Sequence, residues 1–139
     1  MAKYAAFGTT LKIGGTAGTA VVNVESIEGP EQSVEMLDMT AHDSGSAYRE
    51  KVASFIDAGE VSLTIQWDPN HATHKNAAGG LRYLLAQRTS SSFAITYPTT
   101  PVASDVFTAY VSKFVPSAPF DDKLTADVTL TLTGAPTLA

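Results

Sequence analysis

Gly59–Trp67 reads GEVSLTIQW, and its alternation decides the fold class. Val61, Leu63, Ile65 and Trp67 fall on one side of an extended chain, and Glu60, Ser62, Thr64 and Gln66 fall on the other. A period of two is the signature of a strand with one face on a core and one in water. Asp68-Pro69-Asn70 stops the run with turn residues. The same pattern recurs downstream. Ser91–Tyr97 (SSFAITY) sets Phe93, Ile95 and Tyr97 on one face, and Asp105–Val115 (DVFTAYVSKFV) turns Phe107, Ala109 and Val111 inward. Leu124–Thr133 (LTADVTLTLT) alternates Val128, Leu130 and Leu132 with Asp127, Thr129, Thr131 and Thr133. Upstream, Thr9–Ile13, Ala20–Ile27 (ended by Gly29-Pro30) and Ser33–Thr40 (SVEMLDMT) complete the set of predicted strands. The alternation of SVEMLDMT is imperfect, which implies partial cover on both faces.

The one predicted helix lies within His71–Gln87, where Leu81, Leu84 and Leu85, with Ala77 and Ala78, form an apolar stripe. Gly79-Gly80 costs about 1 kcal/mol per glycine relative to alanine, so the helix is expected to start or bend near Gly80. A single helix among many strands argues against a parallel βαβ architecture. Half-buried alternation indicates antiparallel pairing. The expectation is a mainly β protein: an antiparallel β-sandwich or open barrel with one flanking α-helix and a long inter-strand loop, in a single domain over residues 1–139.

That loop is Ala41–Ala58 (AHDSGSAYREKVASFIDA). It opens on Asp43-Ser44-Gly45-Ser46, which is turn chemistry. It then carries Tyr48, Val52, Phe55 and Ile56 at near-helical spacing. Long segments of this kind in small domains are usually functional or disordered, and the aromatics argue against disorder. Two readings stand: a loop with one helical turn folded onto its own domain, or an arm that packs on a neighbouring subunit.

Composition narrows the function. The 139 residues fit one domain, and 44% hydrophobic with 17% charged residues is a globular balance. Acidic residues outnumber basic ones, 14 to 9, for a net charge of -5, which argues against coating a nucleic-acid backbone. The absence of cysteine excludes disulfides, thiolate metal sites and thiol nucleophiles, and points to oligomerisation as a source of stability. No run approaches the roughly 18 apolar residues of a membrane span. The start, MAKYAAFGTTLKIGG, lacks the apolar run of a signal peptide. The chain is therefore expected to be made in the cytoplasm and not to insert into a membrane.

Candidate chemistry is sparse. His71 and His74 would share a helix face and could hold a metal with Asp68 or His42-Asp43, yet nothing enforces the three or four converging ligands needed. Exposed polar residues at a helix start are the plainer reading. His42, Asp43, Ser44 and Ser46 contain hydrolase ingredients but no G-x-S-x-G elbow. Glu25, Glu28, Glu31 and Glu35 could supply a carboxylate pair, but acidic residues on a solvated strand are far commoner. Gly14-Gly15 and Gly79-Gly80 precede no Gly-Lys-Ser/Thr. No catalytic residue, metal or cofactor is expected. The Thr-rich face of the last predicted strand has little charge to deter edge addition, so it suits edge or inter-subunit pairing.

Several short motifs, in order, carry a resemblance. These are Gly29-Pro30, Asp38-Met39-Thr40, Tyr48-Arg49-Glu50, Asp57-Ala58-Gly59-Glu60 and Trp67-Asp68, followed by the leucine helix with GLRYLLAQ. Over nearly its whole length the chain resembles the tail tube (major tail) proteins of long-tailed bacteriophages. The resemblance implies a structural, non-enzymatic virion protein made in the host cytoplasm. Six copies would form a ring whose inner sheets join in one barrel. Rings would stack into the conduit through which DNA passes in transit. Its partners would be further copies, tape measure, tail terminator and baseplate or tail-tip proteins. The arm would span 41–58, with Tyr48, Arg49, Val52, Phe55 and Ile56 at inter-ring or inter-subunit contacts. Glu25, Glu35, Asp38, Glu60 and Asp127 are candidates for an acidic lumen that repels phosphate. Two other readings compete: a monomeric β-sandwich binding module for a cell-surface carbohydrate or protein, and an enzyme using the His and acidic clusters.

Overall fold

Among the described residues, β-branched and aromatic side chains in alternating runs build nine strands, and the Gly- and Pro-rich segments between them turn the chain. The computed structural model describes residues 2–42 and 45–139, with the backbone alone for 46. The strands are β1 (Thr10–Ile13), β2 (Thr19–Ala20), β3 (Val24–Glu28), β4 (Ser33–Asp38), β5 (Lys51–Asp57), β6 (Glu60–Gln66), β7 (Ser90–Tyr97), β8 (Ala103–Ser117) and β9 (Thr125–Thr137). Helix α1 spans Leu81–Gln87, between β6 and β7. Seven strands form one curled antiparallel sheet in the order β2-β1-β7-β8-β9-β6-β3, and β4 and β5 form a separate two-stranded ladder. The mainly β, half-barrel architecture with one helix agrees with the sequence reading.

The core is the inner face of the curled sheet. Leu11, Val61, Leu63, Ile65, Phe93, Ile95, Phe107, Ala109, Val128 and Leu130 are buried there, and α1 adds Leu81. The rings of Phe93 and Phe107 stack with centroids 6.0 Å apart. β8 and β9 run well past their neighbours. β7 pairs with β8 only as far as Tyr110, and β6 pairs with β9 only as far as Thr131. Register shifts between Val106 and Thr108 and between Val111 and Lys113 bend this long pair, as bulges do. Its two ends therefore belong to different halves of the curl. One half contains β3, β6, the start of β9 and the end of β8. The other contains β2, β1, β7, the start of β8 and the end of β9.

Four expectations need correction. First, the helix starts at Leu81, next to Gly80 as expected, so His71 and His74 do not share a helix face. Residues 71–80 form turns, and the Arg88 N–H closes α1 on the Leu85 carbonyl with Arg88 left-handed at φ 56. Second, the near-helical spacing of Val52, Phe55 and Ile56 belongs to a strand, since Lys51–Asp57 is β5. Among the described residues of this segment, Gly45–Ala47 makes the one helical turn, of the 3-10 type; Asp43 and Ser44 lie outside the described residues. Third, β9 is not an edge from Thr125 to Thr131, because β8 and β6 flank it there; from Thr133 onward only β8 does. Thr129 and Thr131 therefore sit within a ladder rather than offering unpaired backbone. Fourth, Ala20–Ile27 is not one strand. Asn23 takes a left-handed φ of 59 and separates β2 from β3.

Candidate functional site: an apolar hairpin and a hydroxyl-rich sheet face

The β4–β5 hairpin leaves the sheet through a close crossing of its entry and exit strands. The Glu31 N–H donates to the Glu60 carbonyl at 3.2 Å, and Asp57 Oδ1 accepts from the Gly59 N–H at 2.9 Å. Gly59 sits at φ +76, and a Cβ there would lie 1.6 Å from the Glu31 carbonyl oxygen. Two backbones touch at this point with no room for a side chain, which requires glycine. Beyond the crossing, β4 and β5 pair Val34 with Ile56, Leu37 with Val52 and Asp38 with Lys51. At the far end, the Met39 N–H donates to the Glu50 carbonyl at 2.7 Å, and the Thr40 hydroxyl accepts from the Glu50 N–H at 2.8 Å. Arg49 pairs with Asp38 at 3.0 Å. Hydrogen bonds from Thr40, with Arg49 beside it, hold the Asp38 carboxyl below the usual carboxylate range.

Among the described residues, no layer packs on this ladder. Phe55 is 82% and Tyr48 77% exposed, and Val52 and Ile56 are exposed as well. Val34, Met36, Leu37 and Met39 on the β4 side join them. The sequence reading selected Tyr48, Arg49, Val52, Phe55 and Ile56 and missed the β4 residues. The imperfect alternation of SVEMLDMT was their signal: a strand apolar on both faces needs cover on both, and among the described residues neither is covered. Scattered exposed apolar residues need no explanation, whereas a contiguous set on one projecting element marks a contact surface.

A second surface is the outward face of the half that contains β3, β6 and the paired ends of β8 and β9. Cross-strand rows traverse it. One runs Glu28, Ser62, Thr129, Lys113, and the next runs Ser26, Thr64, Asp127, Val115. Thr64 donates its hydroxyl to Asp127 at 3.0 Å, Thr131 donates to the Ser112 hydroxyl at 2.8 Å, and Ser112 donates to the Thr129 carbonyl at 3.1 Å. Of the acidic candidates, Glu60 and Asp127 share this face. Glu25 lies at its border, bonded to Gln66 at 3.4 Å and ion-paired to Lys123. The hydrogen bond from Lys123 lowers the Glu25 carboxyl, and the same contact raises the Lys123 ammonium. Glu35 and Asp38 are elsewhere, on the hairpin.

His74 is a further correction. It is fully buried rather than exposed, and it stands in a turn. Its Nδ1 accepts the Asp68 N–H at 3.1 Å, so Nε2 carries the proton that it donates to the Val22 carbonyl at 2.8 Å. Both nitrogens are thus spent on tying the turn after β6 to the link between β2 and β3. Burial lowers its pKa. Among the described residues, no three His, Asp or Glu side chains gather as metal ligands. Trp67 is half-buried rather than deep in the core. It packs edge-on to Phe114 at 5.8 Å, with the Arg82 guanidinium 5.2 Å from its ring.

The sequence pattern of the lambda phage tail tube protein family matches residues 13–139. The chain belongs to that family. It is a tail tube component, a structural protein of virion-like particles. Solved structures of the same fold include a chain of the native gene transfer agent virion, with a TM-score of 0.79 at 10% identity over 99% of both chains. A chain from the sheath/tube terminator of an extracellular contractile injection system superposes with a TM-score of 0.75 at 9% identity, covering 100% of this chain and 98% of that one. A chain from the tail of the empty gene transfer agent particle, refined with C6 symmetry, gives 0.71 at 12% identity over 99% of both. No curated protein matches in sequence. Among the described residues, no helix of this tail tube protein is long and apolar enough to cross a membrane.

Proposed function

We propose that six copies of this chain close into a ring, that rings stack into the tail tube, and that the tube is the conduit for genome delivery. The observation that carries the reading is the β4–β5 hairpin, whose exposed Val34, Leu37, Val52, Phe55 and Ile56 have no partner layer in the single chain. Burying apolar area of this kind contributes roughly 25 cal/mol per Å², and a second copy can supply the cover. The arm, residues 41–58, with Tyr48 and Arg49 at its far end, engages the neighbouring subunit or ring. Tyr, Phe and Arg are the types that anchor interfaces.

The hydroxyl-rich face lines the lumen, with Glu60, Asp127 and Glu25 giving it acidic character. Fixed negative charge repels phosphate, so DNA passes without adhering. The role is structural rather than catalytic, and the tape measure, terminator and baseplate or tail-tip proteins are the partners at the tube's ends. Electron microscopy of the purified protein at rising concentration, alone and seeded with tail tips, tests the proposal. Six-fold rings or tubes are expected. A chain that stays monomeric under both conditions refutes it.

A further inference from the structure

β3 is bonded to β6 on one side, and among the described residues its other side has no partner strand. That free side does not face open solvent. It faces a groove of about 580 Å³ walled opposite by residues 4–9 and lined further by Ile95 and Tyr97. The N-terminal segment thus stands across the gap between β3 and the end of β7. Unpaired edges invite other strands, and natural sheets often cover them with a loop. In the ring proposed above, the face that contains β3 lines the lumen, so this margin has to meet the next copy. An incoming copy brings a sheet rather than a lone strand. Its first strand would lie about 4.8 Å from β3, and each further strand another such step beyond. The N-terminal segment occupies that path.

The cover is weakly held. Residues 2–8 are all exposed, Phe7 almost completely, so the segment buries no large side chain in the core. Among the described residues, one hydrogen bond ties residues 2–8 to the body: the Tyr4 hydroxyl donates to the Thr100 carbonyl at 3.2 Å. The Thr9 N–H and hydroxyl both donate to the Ala6 carbonyl, at 3.1 and 2.7 Å, which closes a turn within the segment itself. Gly8, left-handed at φ +98, joins that turn to β1, a backbone setting that favours glycine. A segment with few buried contacts opens at little cost to the rest of the fold.

We propose that residues 2–8 form a removable strap: docked, they keep a second copy from the free edge of β3, and swung away about Gly8 they make the chain competent to assemble. The inference rests on the tube reading above and adds a control on it. A chain whose competent state is a minor one binds with its affinity reduced by that fraction. Free copies therefore persist until high concentration, or the larger contact offered by a growing end, displaces the strap.

The chain has no cysteine, so introduced thiols are the sole targets of a thiol crosslinker. Tyr4→Cys with Thr100→Cys, joined in dilute solution by a bis-maleimide with a reductant-cleavable spacer, fixes the strap in its docked place. The joined protein should form no tubes, seeded or unseeded, and cleaving the spacer should restore them. Each single variant treated alike should assemble at least as readily as wild type. Deleting residues 2–8 should lower the concentration needed for unseeded assembly about tenfold. Tyr4→Phe removes the Thr100 bond alone and should lower it about threefold. Joined protein that assembles as well as its cleaved form overturns the strap. So does a deletion that needs more protein than wild type, which would make the segment a contact of the tube rather than a cover. Both results leave the tube reading intact. Wild-type protein that never assembles, even when seeded, removes the tube reading and the strap with it.

Discussion

The β6–β9 ladder and the β4–β5 hairpin are made of similar residues, and only the first has something to bury them against. In β6 and β9, Val61, Leu63, Ile65, Val128 and Leu130 face a shared core, and the hydroxyls face out. In β4 and β5 the apolar residues are as large, but both faces meet solvent. An isolated two-stranded ladder is marginal in water. Here it is held by the crossing at Gly59 and the Thr40–Glu50 clasp rather than by packing. The lesson is that apolar content alone does not say which chain will do the burying. One region spends it on folding, and the other keeps it for association.

Three substitutions sharpen that contrast. Phe93→Ala removes a fully buried ring from the core and should cost about 3–5 kcal/mol in denaturant unfolding; a cost near zero would mean the curled sheet is not held by this core. Gly59→Ala drives a Cβ into the Glu31 carbonyl and should cost more than about 1 kcal/mol, with the hairpin displaced and assembly lost. Phe55→Asp should change folding stability by no more than about 0.5 kcal/mol yet abolish tubes in the electron microscope. If the Phe55→Asp protein melts instead, the hairpin belongs to the folding unit and the contrast fails.

His74 offers a test of the folded half alone. Its folded pKa is depressed below the ordinary 6.5, so the unfolded chain binds the proton first. The stability His74 confers is fully present above that ordinary value and is lost as pH falls from there through the folded value. Chemical denaturation of wild type and His74→Asn across this range should show a pH slope in the former that the latter lacks. Identical slopes would remove the Asp68–His74–Val22 tie from the account.

Much of the curled sheet was legible because strand periodicity is local. Val61, Leu63 and Ile65 in β6, and Val128, Leu130 and Leu132 in β9, are buried where the alternation put them. What was not legible was pairing. Thr129, Thr131 and Thr133 read as an edge, and only the register with Glu60–Gln66 shows the first two enclosed. Strand neighbours are set by contacts distant in sequence, which no short window contains. The hairpin was half visible: Val52, Phe55 and Ile56 were singled out, but a bulge between Val34 and Met36 breaks the period of two, and the spacing imitated a helix. His74 misled for a similar reason, since its partner Val22 is 52 residues away.

Three hydroxyls on the outward face donate their hydrogens to acceptors within the sheet. Thr64 gives its proton to Asp127, Thr131 to Ser112, and Ser112 to a carbonyl of the neighbouring strand. A polar wall usually grips a passing polyanion because its hydrogens are free to reach phosphate oxygens. Here the hydrogens of Thr64, Thr131 and Ser112 are already engaged. In the proposed conduit such a wall would stay wet yet offer little drag, so slipperiness would come from saturation as much as from charge.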